Sequence, residues 1–588
     1  MGYQKINVIT GWFVFFVSFV VYAMTIEPTA SFWDCGEFIA CSYKLEVPHP
    51  PGAPFFLLTG RIFSLFAAGN VESVAYWVTM VSVVSTAFSI LFLFWSITHL
   101  AKRVLGIKKG EETLAQTILL MGAGAVGAFS CMASDSYWFS AVEAEVYGMS
   151  AFFTAFVFWA ILKWENMEEE AQRNKWIILI AYMVGLSIGV HLLNLVTLPA
   201  LGLIIYFKYY EKVTIQGIII TLVAAGAAIL IIMLGVIPGL PSLAGSLEIF
   251  FVNALGLPFG SGVIFFCFAF LGALVYGIFY SIKKQKLTLN TILLCFTFIM
   301  IGYSSYTIVL IRSSYNPPID ENNPEDILSF VSYLKREQYG SRPLFHGQYY
   351  TAQVTSQEQG DAIYMRGEDK YEIKDYKLDY VYDPSQTTIL PRMYSAAEPH
   401  KKRYMEITGL QPGVKPSFSD NLYFMFTHQI GTMYMRYFLW NFSGRASDEQ
   451  DASWVGIRDA FQSDLPSALE NNKGRNIYYS LPLLLGLLGL FIQYKKDVKY
   501  FSVTLLLFFL TGVALVLYLN SPPIEPRERD YIYSGSYYAF AIWIGFGVLA
   551  IYELLGAVLK NKQVLAVIAT VVGLLIPTIM VAENWDDH

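Results

Sequence analysis

Apolar residues fall in long runs over most of the chain, separated by short polar turns and by one hydrophilic stretch, 312–476. Runs at 7–25, 73–100, 114–133, 141–163, 175–191, 194–208, 213–236, 261–281 and 290–311 precede that stretch, and runs at 477–493, 499–519, 533–557 and 564–582 follow it. Most approach the roughly 20 residues that cross a bilayer as a helix. Backbone groups in lipid must be bonded within their own segment, so the runs predict helices. The pattern therefore predicts an all-α polytopic membrane protein of about 13 transmembrane helices. Residues 54–68 are apolar but short, and Arg61 interrupts them. They predict an interfacial or re-entrant helix.

Basic residues test this count. Lys102, Arg103, Lys108 and Lys109, then Lys163, Arg173 and Lys175, then Lys208 and Lys212 all fall on one side of the alternation. So do Lys283, Lys284 and Lys286, Lys495, Lys496 and Lys499, and Lys560 and Lys562. Short loops on the other side hold few, apart from Lys44, Arg527 and Arg529. Positive charge marks the cytoplasmic side. The N-terminus is then cytoplasmic, and the Asp34 stretch, 312–476 and the C-terminal end lie outside. The chain divides into an N-terminal transmembrane module, 1–311, with an external loop at 26–72, an extracytoplasmic region, 312–476, and a C-terminal transmembrane module, 477–588. Within 312–476 a helix is expected at Asp326–Gln338 and a tyrosine-rich strand at Tyr371–Tyr382. The aromatic and Met-rich stretch Phe418–Phe442 is expected on the membrane surface. The region is a small external α+β lobe or a long loop packed on the helices. No solenoid period or inverted repeat is visible.

The composition agrees: of 588 residues, 55% are apolar and 15% charged, too few charges for a soluble protein of this length. A net charge of −6 gives no footprint for nucleic acid. Five cysteines make no disulfide framework, and Cys35 and Cys41 either pair outside the cytoplasm or stay free. A single Lys5 precedes the first apolar run. A cleaved signal peptide and a retained helix both fit, and retention places the Asp34 stretch at the outer end of that helix.

Chemistry concentrates in the external loops. Asp34 and Glu37 are three residues apart and share a face if helical. A carboxylate at a water–membrane boundary can serve as general base, because desolvation raises its pKa. The same spacing also fits an N-cap with a capping-box partner. His49 precedes Pro50, Pro51 and Gly52, whose rigid backbone suits a positioned polar group. Glu143 and Glu145 stand at the start of a span, either binding substrate or metal or solvating a helix end. His191 and Asn194 occupy the next external turn. In the last external loop, Arg527 and Arg529 run against the charge trend. They could chelate a phosphate, or pair with Glu528 and Asp530. Arg312, at the end of its span, is a similar phosphate candidate. There is no P-loop, His-Glu-x-x-His or zinc-spaced cysteine pair, and no hydrolase Gly-x-Ser-x-Gly setting. No cofactor is called for, and a divalent metal is left open. Without a nucleotide site, the energy of a reaction must come from an activated substrate, and an outward-facing membrane site suits a lipid-linked donor.

Asp34-Cys35-Gly36-Glu37-Phe38 followed by His49-Pro50-Pro51-Gly52 resembles the protein O-mannosyltransferases, multi-spanning glycosyltransferases of the GT-C superfamily. With Asn316-Pro317-Pro318 and Pro526-Arg527-Glu528-Arg529-Asp530-Tyr531, the whole chain resembles a bacterial family long catalogued as a domain of unknown function and since linked to protein O-mannosylation. The resemblance implies a polyprenyl-phosphate-linked sugar as donor, mannose in that family. It implies a Ser or Thr of an exported protein as acceptor, at the outer face of the bacterial cytoplasmic membrane. It makes Asp34 the catalytic base and Glu37 the second acidic residue. Arg527 or Arg529 is assigned to the departing lipid phosphate on the loop argument above. His49, Glu143, Glu145, His191, Arg312 and Asp530 remain substrate-binding candidates. Relatives of this kind extend into soluble repeats, so a chain stopping at Asp587-His588 is expected to be a shortened member or a fragment. Three other readings compete. A transporter or flippase for a lipid-linked or anionic substrate would use the same carboxylates. An assembly scaffold would need none of them. A related transferase would modify a glycan or lipid instead of a protein.

Overall fold

A computed structural model describes residues 2–462 and 464–587. The first half runs α1 (Tyr3–Met24), α2 (Cys35–Lys44), α3 (Pro54–Ser64), α4 (Val74–Val104), α5 (Leu114–Met132), α6 (Asp135–Val142), α7 (Val146–Glu165), α8 (Glu170–Ile188) and α9 (Leu198–Tyr209). It continues with one long helix, α10 (Ile215–Ala254), then α11 (Ser261–Lys283) and α12 (Leu287–Ser313). The hydrophilic region contributes α13 (Ile327–Leu334), α14 (Glu398–Thr408) and α15, residues 418–442. The chain ends with α16 (Leu481–Lys496), α17 (Val498–Leu519), α18 (Ser534–Leu555) and α19 (Lys562–Asn584).

Among the described residues, 11 helical segments are long and apolar enough to cross a membrane, so the protein is a multi-pass membrane protein. The remaining two expected spans are helices of a different kind. α8 opens on Glu170, Arg173 and Lys175, and α16 has only 16 residues. The run expected to end at 236 continues to Ala254, 40 residues in all. At about 1.5 Å per residue it rises some 60 Å, twice a hydrocarbon core. Pro238 lies inside it within a π-helical segment, Ile231–Gly239, whose wider hydrogen-bond spacing accommodates a missing N–H.

α18 is the centre of the bundle, buried along most of its length. Its neighbours approach closely through glycine: a Cβ at Gly489 of α16 would lie 1.8 Å from the Trp543 carbonyl oxygen. Small residues let membrane helices meet backbone to backbone. α15 packs into this core too. Phe424, Tyr434, Phe438, Trp440 and Phe442 are buried, and the Phe438 and Phe540 rings are 4.9 Å apart. The second half of the stretch expected on the membrane surface is therefore a core element, because Phe438 and Phe442 face α17 and α18, while Phe418, Tyr423 and Phe426 are exposed.

The hydrophilic region carries three two-stranded antiparallel sheets. β1 (His346–Gln348) pairs with β4 (Thr387–Ile389), and β5 (Gly444–Arg445) with β6 (Asn476–Ile477). The long hairpin joins β2 (Val354–Arg366) to β3 (Tyr371–Tyr382), the expected strand. Asn253, at the end of α10, bonds both the N–H and the carbonyl of Tyr371 and clamps the hairpin base. α13 begins with a capping box, Asp326 accepting from Leu328 and Ser329. The segment before it straps the His49 loop: Val47 donates to Ile319 at 3.0 Å and accepts from Glu321 at 3.0 Å.

Candidate active site

α2 carries the first two acidic residues and is pinned at its other end. Arg61 donates to the Tyr43 carbonyl at 2.6 Å, and Arg312 to the Leu45 and Lys44 carbonyls at 2.6 and 3.2 Å. Two guanidinium groups thus satisfy the open carbonyls and negative pole of the helix. At the N-terminal end, Asp34 takes the capping position but makes no side-chain cap bond. Glu37 does not complete a capping box either. Its carboxylate accepts from the His49 N–H at 2.8 Å and meets His49 Nδ1 at 2.6 Å. Both carboxylates are turned away from their own helix, which sets aside the capping interpretation.

The His49 loop is held by hydrogen bonds. Pro50–Pro51 is cis, and the Gly52 N–H donates to the His49 carbonyl at 2.9 Å. The Tyr333 hydroxyl donates to the Pro48 carbonyl at 2.5 Å. Gly52 has φ +85°, and a Cβ there would fall 2.4 Å from the Tyr333 oxygen, so only glycine fits.

Opposite Asp34 stands Arg527, Nη2 to Oδ2 at 2.6 Å. Its guanidinium lies 5.5 Å from the Trp33 ring centre and 5.4 Å from that of Tyr531. Trp33 adopts a left-handed φ of 61°, a costly conformation for a bulky residue. Two aromatic faces and a carboxylate hold the cation. Burial opposes the Arg527 charge, but Tyr531, Asp34 and Glu145 outweigh it and raise its pKa.

The floor is made by the turn between α6 and α7. The span begins at Val146, so Glu143 and Glu145 lie outside it. Both are buried, 6% and 4% exposed. Glu143 accepts from the Cys35 thiol at 3.6 Å, and Glu145 from the Val146 N–H at 2.9 Å. Burial, reinforced by Glu145, pushes the Glu143 carboxyl well above the usual range. Burial raises Glu145 to about 7, with Asp34 adding to it and Arg527 and His49 opposing. Burial also works against a charged His49, but its hydrogen bond to Glu37, the Glu37 charge and the more distant Asp34 and Glu145 together raise its pKa.

Asp34, Glu37, His49, Glu143, Glu145 and Arg527 therefore come together. Arg312 stands at the far end of α2. Arg529 turns to Glu525 at 2.9 Å. The Asp530 side chain bonds Ser136, near the Asp135–Arg445 pair, and its carbonyl accepts from Tyr537 at 3.1 Å. His191 accepts from the Leu193 N–H, and its ring lies 5.2 Å from that of Tyr147, which in turn lies 4.3 Å from that of Tyr531. Glu528 takes Arg436 in a two-pronged pair at 3.1 and 2.8 Å and accepts from the Tyr437 hydroxyl, which fixes the loop that bears Arg527. Cys35 and Cys41 are free, and six residues apart on one helix they face different sides. Sequence reasoning missed Trp33, Cys35 and Tyr531 as site residues. Trp33 and Tyr531 directly adjoin named candidates, but nothing in their spacing pointed to a guanidinium.

Asp34, Glu37 and His49 each offer a ligand atom within 4.8 Å of the others. Two carboxylates and an imidazole suit a divalent cation. All three ligands are already engaged, His49 with Glu37 and Asp34 with Arg527, whose guanidinium supplies the positive charge that a cation would bring.

Residues 34–214 match the family model of the protein O-mannosyl-transferase TMEM260 N-terminal domain, a stretch that opens on Asp34 and ends beyond His191. Residues 340–426 match a family of unknown function. The chain is 26% identical over 141 residues to protein O-mannosyl-transferase tmem260 of Dictyostelium discoideum, covering 23% of this chain and 14% of that protein. It is 27% identical over 210 residues to protein O-mannosyl-transferase TMEM260 of Mus musculus, covering 35% of this chain and 27% of that protein. No solved structure matches. The resemblance to the protein O-mannosyltransferases, expected from Asp34, Glu37 and the His49 loop, is borne out at this low identity.

Proposed function

We propose that the protein is a GT-C-type membrane glycosyltransferase. It moves mannose from a polyprenyl-phosphate donor to Ser or Thr hydroxyls of exported proteins, at the outer face of a bacterial cytoplasmic membrane. The observation that carries this reading is the Asp34–Arg527 pair, a half-buried carboxylate facing a guanidinium at 2.6 Å, with Asp34 at the start of the stretch that resembles protein O-mannosyl-transferases.

In this reading the acceptor oxygen attacks the anomeric carbon as its proton passes to Asp34. The bond from that carbon to the phosphate oxygen breaks, the configuration inverts, and the polyprenyl phosphate leaves with the electron pair. Arg527 offsets the charge on that phosphate. Arg527 cannot face Asp34 and the phosphate equally, so donor binding draws the guanidinium from Asp34 and leaves the carboxylate free to accept a proton. Glu37 and His49 hold the wall beside the base, and Glu143 and Glu145 close its floor.

Purified protein in lipid, given polyprenyl-phosphate mannose and Ser/Thr peptides, should glycosylate the peptides, and Asp34→Asn should not. Transfer by both proteins would remove Asp34 from the chemistry. Movement of the lipid-linked sugar across the vesicle membrane without any transfer would replace the transferase with a flippase.

A further inference from the structure

α16 has 16 residues, about 24 Å of helix against a hydrocarbon core of about 30 Å. One end carries Lys495 and Lys496, the latter paired with Glu553. The shortfall therefore falls at the other end, where Ser480 bonds Ser443 at 2.6 Å. There the loop after β5 lays Trp454, Ile457 and Phe461 beside the helix start, 41%, 46% and 73% exposed. The Phe461 ring lies tilted against that of Tyr479, centres 5.5 Å apart. Aromatic residues of this kind sit at the headgroup level of a bilayer and make up a short span.

A groove of about 350 Å³ opens at this point, walled by Leu439, Trp454, Ile457, Leu483 and Leu484, with Arg458 at its rim. Leu484 also begins the exposed stripe of α16: Leu484, Leu487, Leu488 and Phe491 are 43–58% exposed at helical spacing. Groove and stripe are continuous. Among the described residues, the Arg458 guanidinium makes no ion pair; Asp459, which also lines the groove, turns one carboxylate oxygen to the Gly456 N–H at 3.1 Å.

We propose that this groove is a phospholipid site, independent of the transferase reading. One acyl chain lies along Leu484, Leu487, Leu488 and Phe491. The headgroup enters the groove with its phosphate on Arg458, and Trp454 covers the glycerol region. An apolar channel that leads from a lipid-facing stripe to one unpaired cation matches a molecule with a chain and a phosphate. A free anion would need no stripe, and a neutral lipid would need no arginine.

The test uses the full chain in vesicles and reads Trp454 as the fluorescence difference between wild type and Trp454→Phe. Phosphatidylglycerol brominated on its chains should quench this signal. It should do so at about fivefold lower mole fraction than diacylglycerol with the same chains, the preference expected of one arginine near a membrane surface. Arg458→Gln should bring the two lipids level without loss of folding, since the residue is exposed. An unquenched Trp454, or a preference unchanged in Arg458→Gln, would overturn the site. Relief of quenching by millimolar inorganic phosphate would assign the pocket to a free anion instead.

Discussion

Separating the Asp34–Arg527 pair tests whether it does chemistry or only holds two loops together. The two side chains are 34% and 18% exposed, intermediate between surface and interior. Surface pairs are worth up to about 1 kcal/mol, and removing one member of a buried pair costs about 3–5 kcal/mol. Asp34→Asn and Arg527→Gln should each lower stability by about 1–2 kcal/mol. The double variant should recover part of that, since neither leaves the other's charge unpaired. Activity should behave differently. Loss of a general base costs about 10²–10⁴-fold, and loss of an oxyanion partner about 10²–10³-fold. The double variant should stay as inactive as Asp34→Asn. Unfolding midpoints and mannosyl transfer to peptides, measured on the same preparations, give both quantities. Turnover of Asp34→Asn within tenfold of wild type would refute the base. Activity that returned together with stability in the double variant would reduce the pair to a clip.

Gly52→Ala should lose about 2–3 kcal/mol, from a strained φ and the displaced Tyr333 hydroxyl, and less in a Tyr333→Phe background, as thermal unfolding would show. Arg312→Ala should lose about 1–2 kcal/mol by freeing the end of α2, yet keep turnover of the folded protein within tenfold. A hundredfold loss of turnover there would return Arg312 to the site. Burial, with Asp34 adding to it, raises Glu145 to about 7 from an ordinary 4.5, so its carboxyl is held better neutral than charged despite Arg527 and His49. Its contribution to stability is full below about 4.5 and lost as pH rises through 7. The wild type should therefore gain up to about 3 kcal/mol between pH 8 and 5, and Glu145→Gln should flatten that slope in pH-dependent unfolding.

The local half of the site was legible because its spacing is local. Asp34, Glu37 and His49 lie within one turn of helix and one loop, and residue type with rigid prolines singled them out. Arg527 was legible only as a cation on the wrong side of the charge trend. Its partner lies 493 positions away, and pairing at that distance leaves no periodic trace. Arg312 shows the cost of that gap: an arginine at a span end can bind a phosphate or cap a helix, and the choice depends on what folds beside it. The same holds for the long helices. Gly235, Pro238 and Gly239 look like a break in α10, yet π-type turns carry the helix through them. β2 was hidden by its polar residues, Gln357, Glu358, Gln359 and Asp361, which suit a hairpin exposed on both faces.

Charge balance links these parts. Four carboxylates, Asp34, Glu37, Glu143 and Glu145, surround one guanidinium and one imidazole. Glu143 and Glu145 respond to burial by favouring the protonated form, and His49, bonded to Glu37, favours the charged one. Among the described residues, Arg527 is the one arginine paired with any of these four carboxylates. A site built only to bind and release an anionic lipid would gain nothing from an acidic side chain competing for its arginine. In the proposed transfer, a site that must hold its base quiet until the donor phosphate arrives would gain that control from the competition itself, since a phosphate that recruited Arg527 would also uncover Asp34 next to the incoming hydroxyl.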